Sequence, residues 1–182
     1  LGVVVHAEHF NANNVDDQYI LWNNYYEYQF TNADKVDFFI VATDRQKEIL
    51  AEQFAKYTNH QPAIYTIPVG SLASLPQNEN RTPFSMITAS RLATEKHIDW
   101  LVRAVVRAKK ELPELSFDIY GKGGEEGKLR SLIDELGAAD YIHLKGHANL
   151  EEIYKNYEVY LSASTSEGFG LTLMEAIGSG LP

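Results

Sequence analysis

Short apolar runs, rich in β-branched and aromatic residues, alternate along this chain with longer stretches whose apolar residues recur at helical spacing. Residues 84–89, 115–120, 141–144 and 159–162 read as strands. Each precedes a stripe: Ile98, Leu101, Val102, Val105 and Leu112; Leu129, Leu132, Ile133 and Leu136; Leu150, Ile153, Tyr154 and Tyr157; and a helix through Met174 and Ile177. Three of these stripes follow the i, i+3, i+4, i+7 spacing of one helix face closely. Upstream, residues 1–5 and 36–42 read as strands buried on both faces, and residues 63–67 as a third strand closed by Pro68. An aromatic-rich helix is expected over residues 15–30. Thr43-Asp-Arg-Gln46 has the spacing of a capping box, which predicts a helix over 44–57. Strand–helix alternation with buried strands implies an α/β fold with parallel, doubly wound sheets. Such sheets take ligands beyond the carboxyl ends of their strands, so the chemistry is sought in the loops that follow strands.

From residue 70 to 83 the composition turns to Ser, Pro, Gln, Asn and Glu, the mark of a linker. It separates a first lobe, residues 1–69, from a second, residues 84–182. A net charge of −9 argues against non-specific nucleic-acid binding, which needs clustered Lys and Arg. The chain has no cysteine, so it offers neither disulfides nor thiolate metal ligands. No apolar run approaches the ~20 residues of a membrane span, and the first residues lack the basic region of a signal peptide. The expectation is a soluble, cytoplasmic protein. The sequence opens within a strand pattern and stops just after a helix pattern, so it is expected to be a piece of a longer chain.

The most specific motif is Glu167-Gly-Phe-Gly-Leu-Thr-Leu-Met-Glu175, in the loop after the last strand. Gly168 and Gly170 let a ligand approach backbone N–H groups at the positive end of a helix. Glu175 falls one turn beyond Leu171 and Thr172, so both glutamates address one polyhydroxylated ligand. The bland alternative is two solvated carboxylates. Arg91 and Lys96 follow the strand at 84–89; two cations at a strand's carboxyl end suit a diphosphate and its departing charge. The bland alternative is a salt-bridged turn. No Asp-x-Asp pair follows a strand, so no metal is expected and the cations stand in its place. Gly121-Lys-Gly-Gly-Glu-Glu-Gly127 is a poor dinucleotide fingerprint, its third glycine one residue late; a tight turn explains it as well. His6, with His9 in the same loop, follows the first strand, where a histidine either meets a sugar hydroxyl or is a satisfied structural residue. His147 follows the strand at 141–144, in a loop suited to offering backbone groups to a base. Tyr19, Trp22, Tyr25, Tyr26 and Tyr28 suit an acceptor platform or ordinary helix packing, and no site is assigned to them.

Arg91 with Lys96, Gly121-x-Gly123, Tyr141-Ile-His-Leu-Lys-Gly146 and the Glu167–Glu175 motif together resemble the family-4 retaining glycosyltransferases of GT-B fold, over residues 84–182. The stretches Val3-Val-Val-His-Ala-Glu-His-Phe10 and Tyr28-Gln-Phe-Thr-Asn-Ala-Asp34 are similar to one branch of that family. That branch adds N-acetylglucosamine to serine-rich adhesins in accessory secretion, and its relatives glycosylate teichoic acids. The resemblance implies two Rossmann-like lobes and a donor site built as follows. Arg91 and Lys96 clamp the diphosphate, Glu175 holds the ribose hydroxyls with Leu171 and Thr172 alongside, and His147 and Ala148 meet the uracil. Glu167, Gly168, Phe169 and Gly170 bind the donor sugar, which His6 faces from the other lobe. Glu167, His6, Arg91 and Lys96 are thus the residues expected to act in catalysis. The reaction retains anomeric configuration by front-face attack, with Glu167 a positioner and not a covalent nucleophile.

The resemblance further implies a UDP-sugar donor, no cofactor, a Ser/Thr-rich acceptor protein, a paired glycosyltransferase-like subunit and at most peripheral association with the inner face of the membrane. The family's N-terminal glycine-rich loop and the last elements of its nucleotide lobe have no counterpart here, so this stretch alone is expected to be weak or inactive. Three rivals stand beside this reading: glucose or N-acetylglucosamine transfer to a polyol-phosphate teichoic acid, a non-catalytic GT-B binding subunit, and, more distantly, a dinucleotide oxidoreductase.

Overall fold

Thr43 decides where the first described α-helix begins. Its hydroxyl accepts a hydrogen bond from the Gln46 backbone N–H (3.1 Å), and the Gln46 side-chain oxygen accepts from the N–H groups of Thr43 (3.2 Å) and Ala42 (2.9 Å). The capping box is therefore complete, and α1 runs Asp44–Tyr57 as its spacing predicts. This is seen in a computed structural model that describes residues 1–5, 32–70, 75–77, 80–165 and 167–182. His6, His9 and the aromatic segment with Tyr19, Trp22, Tyr25, Tyr26 and Tyr28 lie outside the described residues.

The described residues fall into two compact units. The first holds those up to Gly70, with residues 167–169 grouped alongside them. Its sheet is β1 (Gly2–Val5), β2 (Phe38–Val41) and β3 (Ala63–Thr66), parallel throughout, in the order β1-β2-β3. Phe39 and Val41 of β2 are fully buried with Phe54 and Leu50 of α1, and the Phe39 and Phe54 rings meet edge to face at 4.9 Å. Burial on both faces was the expectation for residues 1–5 and 36–42. It does not hold: Val4 is 53% exposed and Phe38 and Ile40 are only half-buried. The side chains of a strand alternate between faces, and the core of this unit gathers on the face that α1 covers.

The second unit carries four parallel strands, β4 (Ser85–Ala89), β5 (Ser116–Tyr120), β6 (Ile142–Gly146) and β7 (Val159–Tyr160), in the order β6-β5-β4-β7. On one face lie α2 (Ile98–Ala108) and α3 (Glu126–Glu135), whose Ile98, Leu101, Val102, Val105, Leu129, Leu132 and Ile133 close on Phe117 and Ile119. The other face buries Ile87, Ala89 and Tyr120 beneath Tyr154, Ala176 and Leu181. Ala176 belongs to α4 (Leu171–Gly178). Cover on both faces makes the sheet doubly wound, as the alternation implies.

Three details depart from the sequence pattern. The stripe at Leu150, Ile153, Tyr154 and Tyr157 lies on the sheet as expected, but its backbone makes one 3-10 turn, Tyr154–Asn156, and no α-helix. The stretch is too short for helix nucleation to be favourable by itself, and packing of the tyrosines sets its path. Leu112 lies beyond the end of α2 and is exposed; Pro113 after it disfavours helical backbone at that position. On α4 the buried residue is Ala176, while Met174 and Ile177 stay exposed. Within the compositional linker, Leu75 is buried and Arg81 donates to the Ser179 carbonyl (2.9 Å), so these residues are built into the second unit.

Candidate functional site

In the second unit the strand order reverses at β4: β5 and β6 lie to one side and β7 to the other. Open parallel sheets take their ligands beyond the carboxyl ends of the strands at such a point. Arg91 and Lys96 belong to the loop after β4. Lys96 ends a 3-10 turn, Thr94–Lys96, and His97 after it is left-handed, with φ 46°, while its ring stacks on Trp100 at 4.0 Å. Thr165, in the loop after β7, donates from its backbone N–H (3.1 Å) and its hydroxyl (3.3 Å) to the Glu95 carbonyl. The two loops are therefore tied together.

Arg91 is an exposed side chain whose Nη2 donates to Glu95 Oε1 at 2.7 Å. Burial alone would raise the Glu95 carboxyl. Its own backbone N–H, the Arg91 guanidinium and the Lys96 ammonium together outweigh that and hold it below the usual carboxylate value. The salt-bridged turn anticipated as the bland alternative is thus present. It does not exclude a ligand, since one nitrogen of the fork is engaged and the guanidinium remains open to solvent.

The glycines after β5 have a structural explanation. Gly121 has a φ of 135°, and a Cβ there would fall 1.8 Å from the Ser90 carbonyl oxygen; at Gly123 it would fall 2.2 Å from that of Leu92. Ser90 N–H donates to the Tyr120 carbonyl (3.1 Å) and Leu92 N–H to that of Lys122 (3.0 Å), so the loops run side by side beyond the strands. Close approach of two backbones, and not a phosphate, requires glycine at both positions.

Glu175 and Thr172 are held over the other face by tyrosines. Tyr160 donates to the Ala89 carbonyl at the end of β4 (3.1 Å) and shares a hydrogen bond with the Thr172 hydroxyl (3.0 Å). The fully buried Tyr154 reaches Glu175 Oε2 at 3.5 Å. Burial pushes the Glu175 carboxyl up, the charge of Glu151 adds to this, and the Tyr154 hydroxyl opposes it. Gly170, with φ 76°, takes the left-handed position that starts α4. His147 and Leu171 are exposed, and Ala148 packs in the Tyr154 cluster.

The structure thus brings Arg91 and Lys96 together on one loop, and Thr172, Glu175 and Ala148 around the tyrosine cluster. Glu167, Gly168 and Phe169 lie in the stretch after β7 that leads to Gly170 and the start of α4. Glu167 is exposed, and Gly168 and Phe169 are half-buried. The sequence pattern marks Tyr154 only as a packing residue and does not single out Glu95, Tyr160 or Thr165. Glu95 stands four residues after Arg91, the spacing of a helical ion pair, and that signal was available. Among the described residues no group of three or more His, Asp or Glu is arranged to hold a metal, and no helix is long and apolar enough to cross a membrane.

The family described as "Glycosyl transferases group 1" matches residues 74–182. The UDP-N-acetylglucosamine–peptide N-acetylglucosaminyltransferase GtfA subunit of Streptococcus pneumoniae is 72% identical over 183 residues, covering 100% of this chain and 36% of the relative. The crystal structure of the pneumococcal O-GlcNAc transferase GtfA in complex with UDP and GlcNAc matches with a TM-score of 0.88 at 72% identity, over 100% of this chain and 36% of that one. That of a GtfA/B complex matches with a TM-score of 0.76 at 71% identity and the same coverage. The chain spans 36% of the length of these relatives. Its parallel α/β sheets are those of the GT-B fold.

Proposed function

This chain belongs to the glycosyl transferases group 1 family, and we propose that the protein moves N-acetylglucosamine from UDP-N-acetylglucosamine to Ser and Thr hydroxyls of a serine-rich surface protein, with retention of anomeric configuration. One observation carries the reading: the second unit bears a cationic pair, Arg91 and Lys96, in the loop after β4 and a helix carrying Glu175 after β7, within a chain 72% identical to a transferase of that name.

In this reading Arg91 and Lys96 bind the diphosphate and neutralise its charge as it leaves. They supply what a metal supplies in other transferases, so no cofactor is needed. Glu175 accepts hydrogen bonds from the ribose hydroxyls beside Leu171 and Thr172, and the loop at His147 and Ala148 meets the uracil. Glu167, Gly168, Phe169 and Gly170 hold the sugar, and His6 contacts it as well. The bond from the anomeric carbon to the diphosphate breaks, and the bond to the acceptor oxygen forms on the same face. The acceptor proton passes to the departing diphosphate, so no side chain serves as nucleophile. A GtfA/B complex among the similar structures supports a paired subunit.

Calorimetric titration of the full-length protein with UDP, GDP, ADP and NAD tests the donor. UDP is expected to bind, and Arg91→Ala to weaken it at least tenfold, the loss of a charge-assisted bidentate contact. Binding of NAD without UDP would defeat the reading.

A further inference from the structure

We propose that Glu95 is a positioning residue for the diphosphate clamp: its carboxylate holds the Arg91 guanidinium in the orientation that meets the donor. The proposal rests on the assignment of Arg91 to the diphosphate given above. Arg91 Nη2 lies 2.7 Å from Glu95 Oε1, the short distance of a charge-assisted bond. The two side chains differ in exposure, 65% for Arg91 and 23% for Glu95, so the carboxylate is the fixed member and the guanidinium the one it orients. The Glu95 backbone is itself fixed: its carbonyl accepts both the N–H and the hydroxyl of Thr165, and the turn around it is closed by Lys96 N–H to Ala93 O (3.0 Å) and His97 N–H to Thr94 O (3.1 Å). A long arginine side chain anchored by one nitrogen to a rigid turn keeps its remaining donors aimed together, which is what recognition of a planar or branched anion needs.

Electrostatics alone predicts the opposite role. A carboxylate beside an anion site repels the anion, and Glu95 would then compete with the diphosphate for Arg91. The two roles differ in sign, and substitution separates them. Glu95→Gln keeps the acceptor oxygen and removes the charge; Glu95→Ala removes both. Neither touches the Glu95 carbonyl bonded to Thr165.

UDP affinity and donor KM and kcat are measured for the full-length wild type, both variants, Arg91→Ala and the Arg91→Ala/Glu95→Ala double variant, with thermal melts as a folding control. Positioning predicts that Glu95→Ala weakens UDP about tenfold, the scale of a misplaced binding group. It predicts that Glu95→Gln stays within about twofold of wild type, since the acceptor bond survives. It also predicts that Glu95→Ala has no further effect once Arg91 is alanine. Tighter or unchanged UDP binding in Glu95→Ala overturns the proposal while leaving the transferase reading intact. Unchanged binding in Arg91→Ala overturns the proposal together with the assignment of Arg91 to the diphosphate.

Discussion

The carboxylate of Glu175 is half-buried beside Tyr154 and within the field of Glu151, which disfavours its negative charge. Its pKa is raised above the usual carboxylate value, chiefly by burial. The sign follows. The ionised form is penalised in the folded state at neutral pH, and the penalty fades as pH falls through the folded pKa toward the unfolded value. Glu175→Gln is therefore expected to raise the melting temperature at pH 7, with the gain shrinking toward pH 4, while UDP binding weakens. Thermal melts across that range with parallel UDP titration check both halves. A variant that loses stability and keeps UDP affinity would make Glu175 structural. At this scale the sequence offers the glutamates and cations, because charged residues in glycine-rich loops after strands are rare enough to stand out. Tyr154 and Tyr160 are hidden by their type, since a tyrosine in an apolar run reads as core, whereas Glu95 is marked only by its spacing from Arg91.

Among the elements, the loop after β5 shows best how one residue pattern carries two readings. The glycines at 121 and 123 resemble a nucleotide-cradling turn, yet a side chain at either would strike the backbone of the loop after β4. Gly123→Ala is expected to destabilise the protein by about 1–3 kcal/mol with no ligand present, the usual cost of forcing extra volume into a tight contact. A chemical denaturation curve without nucleotide measures it; an unchanged midpoint with weakened UDP binding would restore the cradle reading. Periodicity located the helices, short apolar β-branched runs located the strands, and the capping box placed α1 because its two hydrogen bonds are local. Periodicity could not tell the 3-10 turn at Tyr154–Asn156 from an α-helix. That backbone path is decided by contacts with Asp118, which accepts from Tyr157, and with Tyr120, both distant in sequence.

For the whole molecule, the fold and family follow from the second unit, whose parallel sheet and motif order the family match covers from residue 74. The acceptor is a different matter, because protein and teichoic-acid transferases are read from the same donor-side residues and residues 6–31 lie outside the described structure. The direct test offers the full-length protein UDP-N-acetylglucosamine with a serine-rich peptide and, separately, a polyol-phosphate polymer, and reads product by mass spectrometry and anomeric configuration by NMR. α-Linked N-acetylhexosamine is expected on serine or threonine of the peptide and none on the polymer. Transfer to the polymer alone, or a product of inverted configuration, would contradict the proposed reaction.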